Sequence, residues 1–312
     1  MRFWSPDKAY FVTNRCEQER LFLLPRPRVL QLIGAWLAKS LEEHGDGIEL
    51  FAFIFLSNHF HLLLRDTKGQ LAEFMYYFQL NLAKSVNELL GRRGHFFSSK
   101  YDAAPVLTDE DFENRWAYIA TNAVKAGLVA RASSGPFFSS LEMALDGRPR
   151  SFEWTDRTAL HNRSRRGQRV RREEVTRKYS LELAIPPQWR GLSKRARRER
   201  IEGLVKANEV RYGRERRAEG RSVLGGRRIL EQSPLMRPRN PSRSPRVKVF
   251  CRDRELEAAH LEMEKQTAGL YREELGAFLK AALMGRRASA DWPPGTYPPS
   301  SLWPVGAPAA PC

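Results

Sequence analysis

Residues 53–65 read Phe-Ile-Phe-Leu-Ser-Asn-His-Phe-His-Leu-Leu-Leu-Arg, two β-rich apolar runs parted by Ser57 and Asn58. A break this short returns the second run beside the first, so the stretch predicts an antiparallel hairpin. Alternation along the second strand puts His59 and His61 on one face and Phe60, Leu62 and Leu64 on the other, which reads as core. The two histidine Cα atoms would stand about 6 to 7 Å apart, so both imidazoles can converge on one divalent cation. A His-hydrophobe-His strand also occurs as an ordinary structural element, and the pair alone leaves both readings open.

The flanking elements follow from periodicity. Ala9 to Arg15 is rich in aromatic and β-branched residues and reads as a first strand. Pro25 and Pro27 open a helix in which Val29, Leu30, Ile33, Trp36, Leu37 and Leu41 recur at helical spacing, and Gly45 follows its end. Ile48 to Leu56 is the strand entering the hairpin. Leu71 to Leu90 forms a second helix, and Ala103 to Leu107 a fourth strand. Thr108 or Asp109 then caps a helix with a buried stripe of Phe112, Trp116, Ile119 and Ala123, and Asp109, Glu110 and Asp111 suit its N-terminal end. Continued through 129, this helix puts Tyr118 and Asn122 at i and i+4 on one face. The order predicts an α+β fold, a ferredoxin-like βαββαβ antiparallel sheet with helices on one face.

Two motifs in this order carry a resemblance. Asn58-His59-Phe60-His61-Leu62-Leu63-Leu64, and Tyr118-Ile119 through Asn122 to Ala126-Gly127-Leu128-Val129, resemble single-tyrosine HUH transposases of the IS200/IS605 type, and within them the REP-associated tyrosine transposase-like proteins. Phe97-Ser98-Ser99-Lys100-Tyr101 is similar to that family's aromatic segment leading into a strand. The resemblance covers roughly residues 5 to 145. Ser57 and Ala123 stand where the family usually has proline, and neither replaces a ligand or nucleophile.

The resemblance implies that Tyr118 is the nucleophile, that His59, His61 and Asn122 hold the metal, and that the substrate is single-stranded or hairpin DNA. Cleavage would leave a 5′-phosphotyrosine and a free 3′-OH, as in transposition. Two imidazoles and an amide oxygen with open positions suit Mg2+ or Mn2+, whereas Zn2+ more usually takes a further His, Cys or carboxylate. A phenol with an ordinary pKa near 10 needs nearby positive charge to ionise. The basic, aromatic-interleaved loop with Arg92, Arg93, Lys100 and Tyr101, together with Arg115 and Lys125, is the expected nucleic-acid contact set. The runner-up is a catalytically silent, domesticated hairpin-DNA-binding protein. A metal-dependent phosphodiesterase using water is a third reading, one that would not need Tyr118.

Charge separates the two halves. The net charge is +17, yet residues 1–150 hold 18 basic and 17 acidic side chains, so nearly all the excess lies beyond 150. Such an excess implies a polyanionic partner, nucleic acid above all, or a solvated Arg-rich coil. The expected organisation is a catalytic domain over 1–147, a basic linker over 148–192, a basic helical accessory DNA-binding region over 193–285, and a Pro-rich disordered tail over 286–312. The stretch 234–245 also reads as disordered. Cys16, Cys251 and Cys312 fit neither a disulfide framework nor a zinc cluster. With no apolar leader at the N-terminus and no run of about 20 apolar residues, a cytoplasmic protein without a membrane partner is expected; monomer and homodimer both stay open.

Overall fold

Strand order puts the histidine strand at the centre of a sheet. In a computed structural model that describes residues 3–166, 168–238, 247–284 and 291–296, the chain runs β1 (Ala9–Arg15), α1 (Pro27–His44), β2 (Ile48–Phe55), β3 (His59–Asp66), α2 (Leu71–Leu89) and β4 (Asp102–Val106). Next come α3 (Asp109–Ala120), α4 (Asn122–Lys125), β5 (Phe138–Ser139), α5 (Leu141–Asp146), β6 (Arg150–Thr155), α6 (Arg157–Arg165), β7 (Thr176–Leu181), α7 (Lys194–Ala218), α8 (Gly226–Glu231) and α9 (Arg254–Leu283). The main sheet is antiparallel in the order β4-β1-β3-β2-β5. The expected βαββαβ unit is therefore present, with β5 added at the β2 edge.

Local chemistry fixes the turns around β3. Asp66, 1% exposed at its end, accepts the N–H groups of Lys68, Gly69 and Gln70 on Oδ1 and that of Leu71 on Oδ2, at 2.7 to 3.1 Å. One carboxylate thus satisfies donors that the start of α2 would otherwise leave unpaired. Thr108 Oγ1 accepts from Asp111 N at 3.1 Å and caps α3.

Both sheet faces are dry. Tyr10, Val12, Phe53, Phe60, Leu62 and Leu64 pack with α1 and α2 on one face, so the two helices of the βαββαβ unit share a side as expected. Phe11, Ile54 and Leu63 face the other way and pack with Phe112, Trp116 and Ile119 of α3 and with Ile201 and Tyr212 of α7. The nearly continuous apolar runs of β2 and β3 match this two-sided burial. Each face thus carries its own core, and the second is the one that receives the helix carrying Tyr118.

Residues 148–192 are not the linker their arginines suggest. β6 and β7 pair antiparallel from Arg150 with Leu181 to Thr155 with Thr176, and Tyr179 and Leu181, at 2% and 0% exposure, belong to the core under α1. The buried Lys39 of α1 lies 4.3 Å above the Trp154 ring and donates to Tyr179 Oη at 3.2 Å; Glu43 Oε1 accepts from the same phenol at 2.9 Å. Period-two apolar positions Phe152 and Trp154, against Tyr179 and Leu181, outweigh the surrounding charge. Residues 239–245 of the stretch expected to be disordered, and all of the Pro-rich tail except 291–296, lie outside the described residues.

Candidate active site

Register brings the first-strand terminus to the histidines. Arg15 pairs with His59 and Thr13 with His61 across β1 and β3, while Ile54 of β2 flanks His61 on the other side. The two imidazole centroids are 5.0 Å apart. His61, 7% exposed, lies between Phe11 at 4.9 Å and the ring of Tyr118 at 5.5 Å. The nucleophile candidate and the histidine pair thus face one another across the gap between β3 and α3.

Asn58 sets the His59 tautomer. Its Nδ2 donates to Glu19 O at 3.3 Å, which leaves Oδ1 as the acceptor 2.7 Å from His59 Nδ1. His59 must then donate from Nδ1 and keep the Nε2 lone pair free. Both nitrogens of His61 and Oδ1 of the buried Asn122 lack a well-formed hydrogen bond, although the Asn122 amide lies close enough to favour protonated His59 and ionised Tyr118. Orphaned buried polar atoms are costly and seldom kept without a use. These lone pairs are the donor set a divalent cation would take, so the residues fit the expected metal. Among the described residues no group of three or more His, Cys, Asp or Glu offers an alternative site.

Burial and the surrounding cations keep both imidazoles neutral. Burial first, and then the Arg15 charge, lower the pKa of His59 to about 4. Burial, His59, Arg15, Arg115 and Lys125 hold His61 well below its usual range. In the unfolded chain both would take up protons near pH 6.5. The folded pKa values are the lower ones, so this contribution to stability is complete above pH 6.5 and is lost as the pH falls toward 4. For His59 the loss between pH 7.5 and 5 is at most roughly 2 kcal/mol, set by the interval between pH 6.5 and 5. Urea midpoints in EDTA at the two pH values check this, and a His59→Gln variant with as large an acid loss as the wild type would count against it.

Tyr118 does not show the low pKa that a surrounding of cations suggests. The Arg115 guanidinium is 5.2 Å and Lys125 Nζ 4.7 Å from the centre of its ring. Asn122, Arg115 and Arg15 all favour the phenolate, yet burial outweighs them and raises the pKa. The free protein therefore holds a neutral phenol at pH 7. Burial and Arg115 also lower the pKa of Lys125, as expected for two cations confined beside one ring.

The helix predicted through Tyr118 and Asn122 is broken between them. α3 ends at Ala120, Thr121 takes φ −111° and ψ 12°, and α4 begins at Asn122. Thr121 Oγ1 donates to Ala117 O at 2.6 Å, the local hydroxyl bond by which Thr competes with regular helix.

Of the expected DNA contacts, Arg115 and Lys125 join the site. Tyr101 does not: it is 7% exposed and packed in the α1–α2 core, where its ring cannot reach a base. Arg92 lies 3.9 Å over the Phe22 ring and donates to Asn87 Oδ1 and His95 O, so it serves the loop's own structure. Arg93 and Lys100 are exposed. The loop passes the histidine edge, where Ser98 N donates to Arg15 O at 3.0 Å and Asn14 Nδ2 to Ser99 O at 3.0 Å.

Sequence reasoning missed Arg15, Asn58 as the orienting partner, and Phe250. The last lies in the C-terminal half, yet it pairs with Pro105 and Leu107 through backbone hydrogen bonds, meets Phe11 edge-to-face at 5.1 Å and lies under Arg115 at 4.6 Å. Only the strand register could have revealed Arg15, and no local signal marks Phe250.

The likeness among solved structures is to transposases. A REP-associated tyrosine transposase bound to a REP hairpin is similar at 18% identity and a TM-score of 0.40, over 47% of this chain and 84% of that one. A protein described as a transposase from Deinococcus radiodurans R1 is similar at 16% identity and a TM-score of 0.28, over 38% of this chain and 93% of that one. No protein-family model and no curated protein matches the chain. Among the described residues no helix is long and apolar enough to cross a membrane.

Proposed function

We propose that this protein is a transposase-type DNA strand transferase that nicks single-stranded or hairpin DNA through Tyr118. The observation that carries the reading is the convergence of the Tyr118 ring, the two neutral imidazoles and the unpartnered Asn122 amide oxygen in one gap between sheet and helix. A binding protein would have no need to keep orphaned imidazole and amide lone pairs beside a phenol.

The reaction follows from these groups. Tyr118 Oη forms a bond to phosphorus and loses its proton; the bond from phosphorus to the 3′ oxygen breaks, and that oxygen leaves as a 3′-OH. The product is a 5′-phosphotyrosine that keeps the phosphodiester energy, so a second 3′-OH can be joined without ATP. Arg115 and Lys125 offset the charge of the phenolate as it forms, in a setting where burial makes that charge expensive. His59 Nε2, His61 and Asn122 Oδ1 would hold Mg2+ or Mn2+, which when bound supplies Lewis-acid polarisation of the phosphoryl oxygen. Arg93 and Lys100, exposed on the loop whose Ser98 and Ser99 bond the end of β1, suit the flanking phosphates.

The test is incubation of the full-length protein with end-labelled hairpin-bearing single-stranded DNA and Mn2+, read on a denaturing gel. A denaturant-resistant protein–DNA adduct is expected with Mn2+ and none with EDTA. Tight hairpin binding without adduct, over several hairpins and both metals, would instead mark a silent DNA-binding protein.

A further inference from the structure

Helix α7 belongs to the charged C-terminal half, yet it grips the junction that separates the nucleophile from the amide ligand. Asn208 Nδ2 donates to Thr121 Oγ1 at 3.2 Å. Thr121 is fully buried and donates the same hydroxyl to Ala117 O. Its hydroxyl is thus engaged both as donor and as acceptor, and the acceptor half is filled from a residue 87 positions away. One turn along, Tyr212 is 4% exposed on the α3 side of the sheet, and its hydroxyl accepts from Arg211 at 2.7 Å.

The chain after the junction is held from the same direction. Glu209 Oε1 accepts Ala132 N at 2.7 Å, and Leu224 N and Gly225 N donate to Gly127 O and Leu128 O at 2.9 Å each. Thr121 is the single residue outside helical geometry between Ala120 and Asn122. Its conformation therefore sets the angle between the turn that carries Tyr118 and the turn that carries Asn122.

We propose that Asn208 is a positioning residue: its hydrogen bond to Thr121 orients Tyr118 and Asn122 relative to each other and makes α7 part of the active site. This goes beyond charge as the role of the C-terminal half. Its DNA readout rests on the proposed nicking activity; its metal readout does not.

The experiment compares full-length Asn208→Ala, the isosteric Asn208→Asp, Thr121→Val, Thr121→Ser and the double variant Asn208→Ala/Thr121→Val. The first measurement is Mn2+ affinity without DNA, by titration calorimetry well below the melting temperature. Asn208→Ala and Thr121→Val are each expected to weaken Mn2+ binding about 10-fold, in the range seen for outer partners of metal ligands. Asn208→Asp, which keeps the shape and removes the donor, should do the same, whereas Thr121→Ser keeps the hydroxyl and should stay near wild type. The double variant should be no worse than either single one, the mark of a shared interaction. With hairpin DNA, adduct formation at saturating substrate should slow by about 10- to 100-fold while DNA affinity is unchanged. Unaltered Mn2+ affinity in Asn208→Asp, additive effects in the double variant, or a wild type that binds no Mn2+ would overturn the proposal. A wild type that binds Mn2+ but forms no adduct would overturn the nicking reading, and the metal titrations would still decide the role of Asn208.

Discussion

Tyr118→Phe is expected to abolish the covalent DNA adduct, with adduct formation reduced by at least about 10,000-fold. The substitution removes one oxygen and leaves the ring between Lys125, Arg115 and His61 in place, so hairpin affinity should change by less than about 2-fold and the fold should persist. Filter binding and a denaturing gel on the same samples separate the two effects. Strand cleavage that continued without an adduct would assign the chemistry to water. An adduct that survived would assign it to another hydroxyl, for which Tyr212 on α7 would be the first residue to replace.

His61→Leu should separate stability from function. Both ring nitrogens of His61 are buried without partners, and each such group costs about 1–3 kcal/mol. An apolar residue removes that cost, so in EDTA at pH 7 the variant should be more stable than the wild type by about 1–2 kcal/mol. The gain should grow at pH 5, because the depressed His61 pKa lowers wild-type stability as the pH falls below 6.5 and leucine has no proton to bind. The variant should also lose stabilisation by metal, which for a site filled at 100 times its Kd is about 2.7 kcal/mol. Denaturant unfolding with and without Mn2+ at the two pH values checks all three. A His61→Leu protein less stable than the wild type in EDTA would mean that the ring is there for packing.

The elements legible in the sequence are those whose signal is local. The strands through Phe11, Phe53 and Leu62, the helix ended by Gly45, and the Thr108 cap all follow from periodicity and terminal residues within a few positions. His59 and His61 on one face follow from strand alternation. Arg15 beside His59 needs the register of β1 on β3, which many short-range contacts settle together. Tyr101 looked exposed because its neighbours are polar, whereas its own ring enters the core. The break at Thr121 combines a local hydroxyl bond to Ala117 O with a hydrogen bond from Asn208, 87 residues away, and no sequence pattern marks the second partner. The pairing of β6 with β7 is hard to read locally because Arg150 and Arg177 fall on the same alternation as Phe152, Trp154, Tyr179 and Leu181 and interrupt the apolar pattern.

The two-sided burial of the sheet has a consequence for how the chain is made. The βαββαβ unit and α3 are complete by residue 120, but the face that carries Phe51, Trp116 and Ile119 is fully covered only once later residues, among them Trp189, Ile201 and Tyr212, have been made. Translation proceeds at about 5–20 residues per second, so that face stays uncovered on the ribosome for roughly 5 to 20 seconds. During this interval the nascent protein presents a wet apolar surface and an untethered Thr121 junction. Tyr118 is then set in place only after most of the chain has emerged.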